Sequence, residues 1–150
     1  MSISSESNEP LPEEFPPIAE VPNADTDEEE LFANKAILFI FNREKNEWID
    51  RGTGELKILK NPDTGYVRII MRQNQTYVVR ANHQIPYLGS LHVLDETNRE
   101  FSWTAYDFTD TKEPENREMF AVRFSLPDIA TAFKTAFEAG QAANKELMDN

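Results

Sequence analysis

Glu55-Leu56-Lys57-Ile58-Leu59-Lys60-Asn61-Pro62-Asp63-Thr64-Gly65-Tyr66-Val67-Arg68-Ile69-Ile70-Met71-Arg72 reads as a strand, a tight turn and a second strand. Pro62 fits the second position of the turn, and Gly65 tolerates positive φ. In the second strand Val67, Ile69 and Met71 alternate with Arg68, Ile70 and Arg72. One face therefore looks to a core and the other is partly basic.

The same texture continues on both sides. Upstream, Ala36–Phe41 is a continuous apolar run, as expected of a strand buried on both faces. Downstream, Gln73-Asn74-Gln75 turns the chain into a strand over Thr76–Arg80. Further strands are expected at Leu91–Val93, Phe101–Phe108 and Glu118–Phe124. About seven short strands with frequent turns are the signature of a sandwich or barrel. Ser125-Leu126-Pro127-Asp128 then starts a helix: Ser125 can cap, Pro127 fits the first turn and Asp128 complements the dipole. Ile129, Phe133, Ala136, Phe137 and Gly140 mark one stripe of an amphipathic helix of about five turns. The fold class is mainly β with one C-terminal α-helix. It matches the pleckstrin-homology architecture, in which the helix caps a seven-stranded sandwich.

Charge divides the chain. The net charge is -12, from 27 carboxylates against 15 Lys and Arg. Residues 1–34 hold ten of the carboxylates and no Lys or Arg. The remaining residues are nearly neutral. Acidity is thus carried by an arm, which argues against nucleic-acid binding and for a basic protein partner. Residues 1–30 also hold Pro10, Pro12, Pro16, Pro17 and Pro22, with too little apolar surface to offset ordering entropy. They are expected to form an extended arm, disordered when free and ordered on a partner. Phe15, Ile18 and Val21 stand out in it as either linker residues or docking anchors. The domain is expected over 31–142, with a C-terminal tail over 143–150.

Little in the chain suggests catalysis. There is no cysteine, and the two histidines are His83 and His92. No helical His-Glu-x-x-His pattern offers a metal site. Gly52-Thr53-Gly54 is too short for a phosphate loop. The densest acidic run, Asp27–Glu30, lies where nothing desolvates it, so it makes a poor general acid. No run is long and apolar enough to span a membrane, and the first residues lack signal-peptide character. The expectation is a non-enzymatic protein without cofactor, reducing-compartment in composition and monomeric on its own.

The informative constellation is basic. Residues 51–80 contain Arg51, Lys57, Lys60, Arg68, Arg72 and Arg80 against Glu55 and Asp63. If the two strands pair through the turn, several of these side chains share a face that could hold an acidic peptide. Solvated strand faces would look the same by charge alone. Trp48 reads equally as core or as a partner platform.

Three stretches together resemble the Ran-binding domain family of the Ran-binding protein 1 and giant-nucleoporin type. The first runs from Glu28-Glu29-Glu30-Leu31-Phe32 through Lys35–Phe39 to Trp48-Ile49-Asp50-Arg51-Gly52-Thr53-Gly54-Glu55-Leu56-Lys57. It is similar to the family's acidic run, hydrophobic strand and Trp-x-x-Arg-Gly-x-Gly-x-x-Lys pattern. The second is Met71-Arg72 followed by Ala81-Asn82-His83. The third is Phe101–Phe108, then Ala121–Phe124, before the Phe133-Lys134-Thr135-Ala136-Phe137 helix.

The resemblance implies a pleckstrin-homology-like fold and binding of the small GTPase Ran in its GTP form. It implies a mutual embrace. Ran's acidic C-terminal tail would dock on Arg51, Lys57, Lys60, Arg68, Arg72 and Arg80, and Trp48, Asn82 and His83 would also belong to the Ran-binding set. The arm, through Phe15, Ile18, Val21, Glu28, Glu29 and Glu30, would cross to a basic patch on Ran. Also implied are ternary complexes with the Ran GTPase-activating protein or with transport receptors, and residence in the cytoplasm or at the cytoplasmic face of the nuclear pore. GTP and magnesium would belong to Ran. Gln73, Gln75 and Val79 depart from the more basic family pattern, and each exposed charge pair lost costs only ~0.2–1 kcal/mol. The alternative is an adaptor of the same fold binding another peptide or a phosphoinositide.

Overall fold

The computed structural model describes residues 27–149. Its strands are β1 (Glu29–Asn42), β2 (Glu47–Lys60), β3 (Val67–Gln73), β4 (Val79–Gln84), β5 (His92–Val93), β6 (Glu100–Ala105) and β7 (Glu118–Arg123), followed by the helix α1 (Pro127–Asp149). All seven strands join one antiparallel sheet in the order β4-β3-β2-β1-β7-β6-β5. This is the strand count and single closing helix expected of a pleckstrin-homology-like domain.

The β2–β3 turn forms as its sequence dictates. The Asn61 side-chain oxygen accepts the N–H groups of Asp63 (2.8 Å) and Thr64 (3.1 Å), and Gly65 sits at φ 84°. Several boundaries differ from expectation. β4 starts at Val79 rather than Thr76, because Gln75 and Tyr77 take left-handed φ of 70° and 61° in the preceding loop. β6 stops at Ala105 rather than Phe108, because Asp107 and Phe108 turn to bond Asn82 of β4.

The arm boundary also moves. Glu29 and Glu30, expected in the arm, are the first residues of β1, paired with Lys60 and Leu59 of β2. Opposite charge on β2 gives the acidic run a strand to join. Phe15, Ile18 and Val21 lie outside the described residues.

β1 buries both faces. Leu38, with Leu56, Ile58, Ile69 and Met71, belongs to the main core under α1. Phe39 and Ala121 form a second cluster on the opposite face, bordered by Ile37, Trp48 and Leu94. Trp48 packs edge-to-face on Phe41 at 5.2 Å, so it is a half-buried cluster residue.

α1 begins two residues beyond Ser125, the expected cap, so Leu126 takes the cap position. The Leu126 carbonyl accepts the Ala130 N–H, which leaves Pro127 in the first turn, where its missing N–H costs nothing. The buried stripe is Ala130, Phe133, Phe137, Gly140 and Asn144, with Ile129 and Ala136 at its margins. A Cβ on Gly140 would lie 2.7 Å from Ile85 Cδ1 and 2.9 Å from Val67 Cγ1, so glycine permits the close approach to β3. The helix runs on to Asp149, through residues expected as a tail. Asn144 explains why. Its Oδ1 accepts the Val67 N–H (2.8 Å), and its Nδ2 donates to the carbonyls of Val67 (2.8 Å) and Ile85 (2.9 Å). One amide thus satisfies backbone groups where β3 begins and β4 has ended.

His83, expected at the partner surface, is a core residue with a fully buried side chain. It stacks on Phe120 at 4.9 Å. The Trp103 indole N–H donates to His83 Nε2 at 2.9 Å. An indole nitrogen can only donate, so Nε2 accepts and the ring proton sits on Nδ1. Nδ1 lies 2.9 Å from Asp107 Oδ1. Burial alone would raise the Asp107 pKa, but the bonds from His83 and the Asn82 N–H hold its carboxyl below the ordinary 3.8.

Two outcomes follow from these buried contacts. Asn144→Ala strands the Val67 N–H and the Ile85 carbonyl, and should cost about 2–4 kcal/mol in urea unfolding. Asp107 has a lower pKa folded than unfolded, so the unfolded chain takes up its proton first as pH falls. Its contribution is complete above about pH 4 and is lost below that. Asp107→Asn should therefore destabilise the domain at pH 7 and flatten the acid limb of the stability profile. An unchanged acid limb would show that the carboxylate is not held by His83.

Candidate partner-binding face

The alternation that points Leu56, Ile58, Ile69 and Met71 at α1 puts Glu55, Lys57, Arg68 and Arg72 on the opposite face. Cross-strand register sets Glu55 opposite Arg72, Lys57 opposite Ile70, and Leu59 opposite Arg68. Leu59 and Ile70 are apolar floor here, at 1% and 3% exposure. Asn82, opposite Ile70 on β4, extends the face.

Each cation has a defined setting. Arg68 grips Glu28 with two bonds, Nη2 to Oε1 at 2.6 Å and Nε to Oε2 at 3.1 Å, while its Nη1 donates to Asn82 Oδ1 at 2.8 Å. Lys57 Nζ lies 3.6 Å from Glu30 and 3.8 Å from Glu55. Arg72 and Lys57 line a concavity of about 320 Å³ with Gln73, Gln75 and Tyr77. Tyr77 is 45% exposed at the rim of this concavity and was not among the residues the sequence singled out. Its only signal was an aromatic residue directly after a polar turn.

The six expected basic residues do not form one patch. Lys60 has the alternation phase of Ile58, so it belongs to the other face of β2, opposite Glu29. Arg51 and Arg80 are the extra residues of two β-bulges, skipped between Gly52 and Asp50 on β2 and between Ala81 and Val79 on β4. They form a second centre. Arg51 Nε donates to the Arg80 carbonyl at 3.0 Å, and Nη2 donates to Asp110 at 3.1 Å. Burial, then the neighbouring Arg51 charge, pulls the Arg80 pKa below its ordinary value, with Asp110 opposing. Trp48 lies nine residues along β2 from Lys57, about 30 Å on an extended strand, and so does not belong to the Lys57 centre.

Gly52 and Gly54 have a structural role. A Cβ on Gly54 would fall 1.8 Å from the Arg72 carbonyl oxygen, and one on Gly52 would meet the Gln73 side chain at 2.3 Å. The two glycines let β3 close over β2 and bring Arg72 to the face. Elsewhere, Leu88, Tyr106 and Phe108 are exposed around a separate groove of about 670 Å³.

Comparison with known proteins agrees with this architecture. The RanBP1 domain family matches residues 20–143. The chain is 37% identical over 132 residues to the E3 SUMO-protein ligase RanBP2 of Pan troglodytes, covering 88% of this chain and 4% of that protein. It is 37% identical, over the same share of the chain, to the human RANBP2-like and GRIP domain-containing protein 1, of which it covers 7%. The chain thus spans a small part of these relatives. A crystal structure of the Ran-binding domain of Nup2 from Ashbya gossypii superposes with a TM-score of 0.65 at 26% identity, covering 78% of this chain and 97% of that one. A second Nup2 Ran-binding domain structure gives a TM-score of 0.61 at 25% identity, covering 77% of this chain and 98% of that one. With a family match over most of its length and relatives above one-third identity, the chain belongs to the RanBP1 domain family.

Proposed function

We propose that this chain binds the GTP-bound form of Ran and acts in nucleocytoplasmic transport, in the cytoplasm or at the cytoplasmic face of the nuclear pore. The observation that carries the reading is the concavity of Lys57, Arg72 and Tyr77, a basic face inside an acidic protein of this family. It suits an extended acidic segment: carboxylates reach the two cations, and an apolar side chain can rest on Tyr77. Ran's acidic C-terminal tail is the proposed occupant. Arg51 and Arg80, on β2 and β4, form a second basic stop, while Asn82 holds Arg68 in place. The arm, with Phe15, Ile18, Val21 and the acidic run, is proposed to cross to a basic patch on Ran.

Such a module distinguishes nucleotide states without touching the nucleotide. If the tail packs on Ran in the GDP state and is released in the GTP state, a tail binder prefers the released form. By linkage it then stabilises that form. Assistance to the GTPase-activating protein and dissociation of Ran-GTP from transport receptors would follow from holding the tail away. The domain itself supplies no catalytic arginine in this scheme; hydrolysis belongs to Ran and its activator. The groove beside Tyr106 and Phe108 favours a second reading, a peptide-binding adaptor of the same fold.

A pull-down with Ran loaded with either nucleotide separates the readings: strong retention of the GTP form alone is expected, and equal or absent retention removes the primary one. The pair Lys57→Glu and Arg72→Glu should weaken Ran-GTP binding by about tenfold or more in titration calorimetry, with a smaller effect on Ran lacking its tail. Equal losses with both forms of Ran would refute tail docking on this face.

A further inference from the structure

Glu28 makes a close, two-pronged charged contact on the basic face. Its two oxygens take the two-pronged edge of Arg68 at 2.6 and 3.1 Å, the geometry an incoming carboxylate would adopt. The pair is well enclosed, with Glu28 13% and Arg68 23% exposed. One strand over, Glu30 stands 3.6 Å from Lys57. Two carboxylates of the acidic run therefore already sit on cations that an acidic segment would use.

A bulge separates the acidic run from the rest of β1. β1 loses register between Glu30 and Phe32, with Leu31 as the extra, exposed residue. The bulge interrupts pairing ahead of Phe32, which is anchored in the aromatic core against Phe124 and Phe133. The bulge thus separates the Glu29 and Glu30 pairs with β2 from that anchor.

We infer that Glu28 is an internal stand-in for the partner's carboxylate, a latch that makes acidic run and acidic tail compete for Arg68. This inference rests on the tail-docking reading and adds a specificity rule to it. A free acidic peptide must displace Glu28 and offers it nothing in return. A partner with both an acidic tail and a basic patch draws the run away and so opens Arg68. The two halves of the grip are then coupled: engagement of either one favours the other.

The test uses the full chain, hexaglutamate as the acidic probe, and Ran-GTP, all by titration calorimetry at low salt. Glu28→Gln should bind hexaglutamate about five- to tenfold more tightly than the wild type. Asp63→Asn removes the same charge from the exposed neighbouring turn and should gain less than about twofold. The gain should vanish in an Arg68→Ala background, where there is nothing to unlatch. For Ran-GTP the gain should be smaller, because the arm gives up a charge. Thermal melts identify a misfolded variant, in which case Glu28→Ala replaces it. Equal gains from Glu28→Gln and Asp63→Asn would reduce the effect to net charge and overturn the latch. So would unchanged or absent hexaglutamate binding by Glu28→Gln, even with wild-type Ran-GTP binding intact. The converse result, a hexaglutamate gain with no Ran-GTP binding by the wild type, would retain the latch and remove Ran as the partner.

Discussion

Phe133 is the contact on which the rest of the domain depends. Its ring meets Phe32 of β1 at 5.6 Å, Phe101 and Trp103 of β6 at 6.0 and 5.8 Å, Phe124 just after β7 at 5.1 Å, and Phe137 at 5.7 Å. A single aromatic side chain so ties the helix to three regions of the sheet. Burial of one such ring contributes about 1.5–3 kcal/mol, and edge and offset ring contacts add to it. The helix also closes over the ends of β3 and β4 through Gly140 and Asn144. With α1 seated, one sheet face is committed to the core, and period-two alternation commits Lys57, Arg68 and Arg72 to the other.

That second face carries Lys57, Arg68 and Arg72. Its apolar floor, Leu59 and Ile70, lies under the charged side chains, so the cations work above a partly desolvated base. There Coulomb and hydrogen-bond contacts outweigh those of freely solvated lysines. The bulges at Arg51 and Arg80 re-aim two further cations and split the basic stretch into separate centres. Glu28 of the acidic run pairs with Arg68, so part of this basic face is neutralised within the chain itself.

Much of the fold was legible in order along the chain. The Asn61–Gly65 turn, the alternation of Val67–Arg72 and the helix from Pro127 each rest on local rules, and each formed as those rules require. Local rules failed where a distant partner decided. Tyr106-Asp107-Phe108 has strand composition but turns away because Asp107 is captured by Asn82 and His83. Asn144, expected in the C-terminal tail, is buried at 2% exposure by bonds to the Val67 N–H and to the carbonyls of Val67 and Ile85. His83 sat in the motif suggestive of a partner contact, and its chemistry is spent on Trp103 and Asp107.

The sequence by itself determined the division of charge, the strand and helix periods, the tight turn and the family pattern, since each of these is written in neighbouring residues. Tertiary structure alone decided which cations share a face. That depends on alternation phase and on bulges, which separate Arg51, Lys60 and Arg80 from Lys57, Arg68 and Arg72 although all six lie within one short basic stretch. It also decided that Glu28 meets Arg68, forty residues along the chain. Pairing between distant strands sets that distance, and no local pattern records it.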